Sequence, residues 1–262
     1  MDQIIDAVRS PKSRAGDLLY GSLCRSKHFY HRVRCDDVYL VSFPRSGNTY
    51  ARFMLTALLV GHAPSAQDVA ATIPDIYWQS SRIRPRTLRR VMAKSHGPMY
   101  PLVAKIVYIV RDGREALLSY YYRLAAGGAV HPQDVADMLL WDKPWPCTWA
   151  EHVRGWLSYL DSAGIGMVIR YEDLVRDPVQ ELGKIAAFLE LHKSEAALAA
   201  AVENSTKSKM AAAEERTNKG SLGFVGITPT RWQEIFSRED VRKFENRHAE
   251  ILRRLGYPTT PE

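Results

Sequence analysis

Nothing in this chain is apolar for long enough to cross a bilayer. Its longest such runs, LTALLV, IVYIV and GMVI, fall far short of the roughly 20 residues a spanning helix needs. The opening stretch MDQIIDAVRSPKSR carries acidic residues and no apolar h-region, so no cleaved secretory signal is expected. Cysteine is scarce. Cys24, Cys35 and Cys147 are odd in number and show no C-x-x-C spacing, which offers neither a disulfide framework nor a zinc site and suggests a reducing, cytoplasmic setting. Internal repeats and low-complexity tracts are missing. So is a basic stripe interleaved with aromatics or a recognisable nucleic-acid module. The net charge of +7 still favours an anionic partner, and with nucleic acid unsupported a small polyanion is left. The densest basic cluster, RIRPRTLRR at 82–90, reads either as a solvated face or as a means of attracting anions.

What is present is enough for a core. A chain of 262 residues with 46% hydrophobic content can form one full domain, taken as 1–262. Short β-branched runs at Val38 to Phe43, Val91 to Ala93, Ile106 to Val110 and Met167 to Ile169 alternate with helical patterns. That alternation predicts an α/β fold, a central parallel sheet flanked by helices. Ligands bind beyond the carboxyl ends of such strands. The segments found there are Pro-Arg-Ser-Gly-Asn-Thr, Lys-Ser-His, Arg-Asp-Gly-Arg and Arg-Tyr-Glu-Asp. All four are polar. The tail from Thr230 onward, with Phe236, Val241, Phe244, Ile251 and Leu255 at helical spacing, predicts an amphipathic helix on the sheet. Residues 125–149, with Gly, Pro and Trp141, Trp145 and Trp149, suggest a long connection or lid. Trp141 and Trp145 are its candidate walls for an apolar acceptor.

The stretch YLVSFPRSGNTYARFML at 39–55 ends a strand in small polar residues around one arginine and then starts a helix. Backbone N–H groups and the positive end of a helix converge there, as a phosphate requires. The loop is not the nucleoside-triphosphate pattern G-x-x-x-x-G-K-[ST], which would place Gly at Ser42 and Lys at Asn48; only Gly47 and Thr49 fit. The basic residue sits earlier, at Arg45. In VYIVRDGREALLSYYYR, Arg111 closes a strand and Ser119 follows about two helical turns on. Alone, Arg111 would read as a surface partner of Asp112 or Glu115. Beside the arginine loop, the pair suggests a ligand with two separated phosphates.

SFPRSGNTYAR is similar to the 5′-phosphosulfate loop of sulfotransferases that use 3′-phosphoadenosine-5′-phosphosulfate (PAPS), and IVRDGREALLSYYYR resembles their 3′-phosphate motif. VMAKSHGP resembles the segment carrying that family's catalytic histidine, IRYEDLVRDP its strand and Tyr-Glu-Asp turn, and NSTKSKM with NKGSLG its C-terminal nucleotide region. The likeness spans about 38–232. It implies sulfuryl transfer from PAPS to a hydroxyl of a small-molecule acceptor, with release of the 3′,5′-bisphosphate (PAP) and no metal; phenols, sugars, lipids and peptide-derived products are all open as acceptors, and the tryptophan-rich segment tilts the reading toward an aromatic or otherwise bulky apolar one. His96 is then the general base. Arg45, Ser46, Gly47, Asn48, Thr49, Tyr50, Arg111, Ser119, Tyr171, Ser205, Lys219 and Gly220 would hold the nucleotide. Lys94 would reach the sulfate. The family often has Lys where Arg45 stands, and a guanidinium can stabilise the leaving oxygen but not give up a proton to it. Lys207 replaces a frequent aromatic, and Asn218 departs from an Arg-Lys-Gly triplet. Two rivals are a P-loop kinase, which would need ATP and Mg²⁺, and a non-catalytic module that binds nucleotide or polyanion.

Overall fold

The computed structural model describes residues 35–76, 91–100, 104–126, 128, 135–142, 144–215 and 231–260. The basic cluster at 82–90, Lys219 and Gly220 lie outside them. Four strands, β1 (Val38–Ser42), β2 (Met92–Ser95), β3 (Lys105–Val110) and β4 (Gly166–Arg170), form one sheet in the order β2-β1-β3-β4, with each neighbouring pair parallel. All four sequence-predicted strands are present within one or two residues of their expected ends.

Alternation along β1 divides its side chains between two layers. Tyr39 and Val41, with Phe43 just beyond, face a core with Tyr108 of β3 and Trp149, Trp156, Phe244 and Leu252. The tryptophans come from α4 (Trp149–Ala163) and Phe244 and Leu252 from α10 (Arg238–Arg254), and α3 (Gly113–Ala126) adds Leu117 and Tyr121 to the same core. Val38 and Leu40 face the other way, with Val107, Ile109 and residues of α1 (Asn48–Val60), α6 (Pro178–Phe188) and α7 (Glu195–Glu203). The remaining helices are α2 (Ala66–Thr72), α5 (Tyr171–Arg176), α8 (Lys207–Glu215) and α9 (Trp232–Ile235). The expected C-terminal helix is thus two, α9 and α10, separated where Phe236 takes up an extended conformation.

The strand order decides where a ligand can enter. From β1 the chain crosses to β2 on one side, then back over to β3 on the other, so successive connections leave in opposite senses between β1 and β3. A crevice opens at the carboxyl ends of strands at such a switch point. The loop after β1 and the start of α3 are the two segments that border it.

Candidate active site

Arg45 stands at the tip of the β1–α1 loop with φ of 66°, a left-handed conformation that L side chains rarely adopt. Gly47 follows at φ of 94°, and here glycine is required twice over. Its conformation favours it, and an added Cβ would overlap the ring of Tyr171. Helix α1 then begins at Asn48 with no side-chain cap. Its first N–H groups are open to an anion in front of them.

Asn48 does not point at that anion. Its side-chain amide donates to the Leu40 carbonyl at 3.1 Å and lies 3.3 Å from Ser42 Oγ, so it ties the start of α1 to the end of β1. The residue that stands in place of a P-loop lysine thus tethers α1 to β1 through its amide nitrogen, while its Oδ1 has no partner among the described residues. The hydroxyl of buried Ser46 has no partner among the described residues.

Opposite the loop, Arg45 Nε donates to Ser119 Oγ at 3.2 Å. Arg111 donates to the Arg45 carbonyl at 3.1 Å and to Glu115 at 3.2 Å, and its guanidinium lies 4.7 Å from the centre of the Tyr171 ring. The surface pairing with Glu115 and the site role are compatible, because the same guanidinium does both. Burial, with Arg123 and Arg111 nearby, brings the Arg45 guanidinium down to about 10; it stays charged at neutral pH. Three arginines held this close make the crevice attractive to anions before one arrives.

Arg45, Gly47, Asn48, Thr49, Tyr50, His96, Arg111, Ser119, Tyr171 and Ser205 line one cavity of about 340 Å³, together with Val175, Thr206, Lys207 and Met210. Ten of the sequence-predicted residues thus converge, from the ends of all four strands, from α3 and from the turn between α7 and α8. Ser205 is fully buried, and its hydroxyl donates to the Ala201 carbonyl at 2.8 Å, so only its oxygen can accept. Val175, Thr206 and Met210 were not foreseen. Val175 and Met210 sit on short helices whose faces follow from packing, and Thr206 just precedes the second of them.

His96 follows β2. Its Nδ1 is 2.8 Å from the Ser42 carbonyl. A carbonyl can only accept, so Nδ1 carries the proton and Nε2 is left with a lone pair. Burial above all, then the charge of Lys94, hold this imidazole well below its ordinary value. It is neutral at neutral pH.

Lys94 is placed otherwise than expected. Its ammonium is buried and ion-paired with Asp75 at 2.5 Å, and it does not line the cavity. Backbone pairing puts Asp75 there: Lys94 N–H donates to the Pro74 carbonyl and Ile76 N–H to the Lys94 carbonyl. Sequence alternation assigned a side to Lys94 but could not supply this neighbour. The tryptophans also divide. Trp149 is core at 2% exposure, donating to the Arg111 carbonyl at 3.2 Å. Trp141 packs on the edge of the same core. Trp145 alone meets His96, edge to face with ring centres 6.2 Å apart. No group of three or more His, Cys, Asp or Glu among the described residues is placed to hold a metal, and no described helix is long and apolar enough to cross a membrane.

The site thus sets an arginine-bearing anion loop at the switch point of a parallel sheet, with a neutral histidine on the adjacent strand end. The sulfotransferase domain model matches residues 35–256, and the chain belongs to that family. It is 26% identical over 196 residues to an amine sulfotransferase of Oryctolagus cuniculus, covering 68% of this chain and 64% of that one. It is also 26% identical to a 3-alpha-hydroxysteroid sulfotransferase of Cavia porcellus, covering 60% of each. The match thus spans about three-fifths of these relatives' length. Among solved structures, mouse sulfotransferase SULT7A1 complexed with PAP superposes with a TM-score of 0.67 at 20% identity, over 92% of this chain and 93% of that one. Retinol dehydratase in a complex with retinol and PAP gives 0.68 at 17%, over 100% and 95%. At these identities the likeness is one of fold.

Proposed function

We propose that this protein transfers a sulfuryl group from PAPS to the hydroxyl of a small, largely apolar acceptor. The observation that carries the reading is His96, whose Nδ1 is committed to the Ser42 carbonyl while the ring borders the cavity walled by Arg45 and Arg111. PAPS supplies the sulfuryl group and two phosphates. The residues present suit it: open N–H groups at α1 for the 5′ end, Arg111 and Ser119 for the 3′-phosphate, and Tyr50 and Tyr171 for the base.

His96 Nε2 takes the acceptor proton as the hydroxyl oxygen bonds to sulfur. Arg45 and the first N–H groups of α1 receive the negative charge on the bridging oxygen as its bond to sulfur breaks, and PAP departs. Positioned donors of this kind contribute several kcal/mol, and alignment of the two oxygens contributes the rest. Lys94, tied to Asp75, has no direct part in this scheme. The match to relatives named for amines and hydroxysteroids supports a small-molecule acceptor, and Trp145 beside His96 supports an apolar one. Of the stretch 125–149, part of which lies outside the described residues, Trp145 is our proposed contact with the acceptor.

Calorimetric titration tests the donor: PAP should bind without metal, and ATP with Mg²⁺ far more weakly. Tighter binding of ATP with Mg²⁺ would instead make the loop a degenerate P-loop and the protein a kinase.

A further inference from the structure

The backbone between β3 and α3 carries Arg111, and it is held from two sides. Trp149 donates Nε1–H to the Arg111 carbonyl at 3.2 Å. The next N–H, that of buried Asp112, donates to Glu172 Oε1 at 2.9 Å. The register of the sheet brings these two residues together. Val110 and Arg170 are partners in the parallel pairing of β3 and β4, and two residues beyond them the chains part into α3 and α5. A buried N–H needs an acceptor. Where the strands diverge, the Glu172 side chain supplies it.

The other oxygen of that carboxylate, Oε2, accepts from the Tyr257 hydroxyl at 2.9 Å. The end of α10 delivers this tyrosine. Gly256, left-handed at φ of 69°, donates to the Arg253 carbonyl at 3.1 Å, and the Tyr257 N–H returns to the Leu252 carbonyl at 2.9 Å; this pair of bonds closes a helix and fixes the residue after it. The Arg170 guanidinium then covers the Tyr257 ring at 4.6 Å, and Tyr257 is left 5% exposed. A negative charge here works against the site. Glu172 directly follows Tyr171, which lines the cavity under the Arg111 guanidinium at 4.7 Å, so its charge repels any anion bound there. The polarity of α5 favours an acid in its first turn but does not require both oxygens to be turned onto Asp112 and Tyr257.

We propose that Glu172 is a positioning residue for Arg111, with Tyr257 as its anchor: the carboxylate fixes the Arg111–Asp112 backbone against the start of α5, so that the guanidinium stays between the Arg45 carbonyl and the Tyr171 ring, where it meets a 3′-phosphate. The proposal rests on the reading of Arg111 as the 3′-phosphate contact. Neither Glu172 nor Tyr257 lines the cavity. Both act through backbone.

Charge and position predict opposite signs, which makes the test sharp. Removing a carboxylate beside an anion site should tighten PAP if only its charge matters, and weaken PAP if it holds Arg111. In calorimetry on the full chain, Glu172→Ala should bind PAP about tenfold more weakly, the low end of what a charge-assisted contact contributes, and adenosine 5′-phosphate within about twofold of the wild type. Glu172→Gln keeps an oxygen for the Asp112 N–H and an N–H for the Tyr257 oxygen, so it should restore PAP binding to within about twofold. In the Arg111→Ala background, Glu172→Ala should change PAP affinity less than about twofold. Tighter or unchanged PAP in Glu172→Ala would overturn the proposal. So would equal losses for both ligands, an undiminished loss in the Arg111→Ala background, or a glutamine variant as weak as the alanine one. Tyr257→Phe removes a single oxygen and serves if Glu172→Ala does not fold: PAP should weaken about threefold, and an unchanged affinity would count against the anchor. Failure of the wild type to bind PAP would sink the functional reading instead. NMR without ligand then decides the matter: the Arg111 Nε–H signal, identified by its loss in Arg111→Ala, should move in Tyr257→Phe and in Glu172→Ala, and an unmoved signal in both would show that these residues do not position Arg111.

Discussion

At the scale of single residues, the site divides the work between charge and proton. Arg45 brings charge that no pH near neutrality removes, so the pH dependence should belong to His96. Its imidazole is held well below 6.5 by burial. A base must be unprotonated to act, so kcat/KM should hold its plateau as pH falls through 6.5 and decline only at lower pH; a limb centred at or above 6.5 would contradict this. His96→Ala should lower kcat by about 10²- to 10⁴-fold, the usual contribution of a general base, while calorimetry finds PAP affinity intact. Arg111 should behave in the opposite way. Arg111→Ala should weaken PAP by about 1.5 to 3 kcal/mol, the range of a charge-assisted contact, and adenosine 5′-phosphate much less. Equal weakening of both would remove Arg111 from the 3′-phosphate.

At the scale of elements, the β1–α1 loop and the start of α5 are built around one close approach. Gly47 packs under Tyr171, and Tyr171 under Arg111. Gly47→Ala adds a single methyl group, but it strains the backbone and drives it into the tyrosine ring, so the loop or Tyr171 must move. PAP affinity should fall at least about tenfold in calorimetry, in keeping with a cost of about 1 to 3 kcal/mol for a residue forced into a sparsely populated conformation. Unchanged affinity would show that the loop can shift without disturbing the anion site. The loop motif, its glycine and the tyrosine after β4 were all legible in the sequence, because each sits at a strand end of fixed direction. The contact between glycine and tyrosine was not. It joins residues more than a hundred positions apart in the chain.

At the scale of the whole molecule, a buried ion-pair network ties the C-terminal part of the chain to the site. Arg114, only 1% exposed, pairs with Asp112 at 2.6 Å and with Glu245 of α10, donates to the Pro258 carbonyl at 2.8 Å and lies 4.3 Å from the Trp232 ring centre. Arg114→Met would leave two buried carboxylates without their cation, and denaturant unfolding should report a loss of about 3 to 5 kcal/mol. The half-exposed pair of Arg254 with Asp161 offers the control. Arg254→Ala should cost less than about 1 kcal/mol. Acid should also weaken the fold. Burial holds His96, His152 (about 3) and His248 (about 4) below the ordinary 6.5, so the unfolded chain takes up protons that the folded one refuses. Stability should therefore fall as pH drops below about 6.5. A denaturation midpoint constant between pH 7 and pH 5 would count against all three burials.

The sequence by itself determined the strands, their parallel arrangement and the ring of polar residues at their carboxyl ends, because strand periodicity and the handedness of crossovers are local rules that leave few topologies open. It also made His96 and Arg45 visible, since each stands at a strand end in a recognisable motif. Only the tertiary structure decided which cations serve the cavity and which serve the fold. Lys94 and Arg45 look alike in the sequence, each a basic residue at the end of a strand. One has Asp75 laid beside it by a backbone pairing 19 residues away, and the other has Ser119 and an open helix end. Asn48 was likewise read as part of the anion loop, and its side chain proved to be the tether of α1 to β1. A partner's identity depends on where two distant segments meet, and that is a property of packing, which no single stretch of sequence contains.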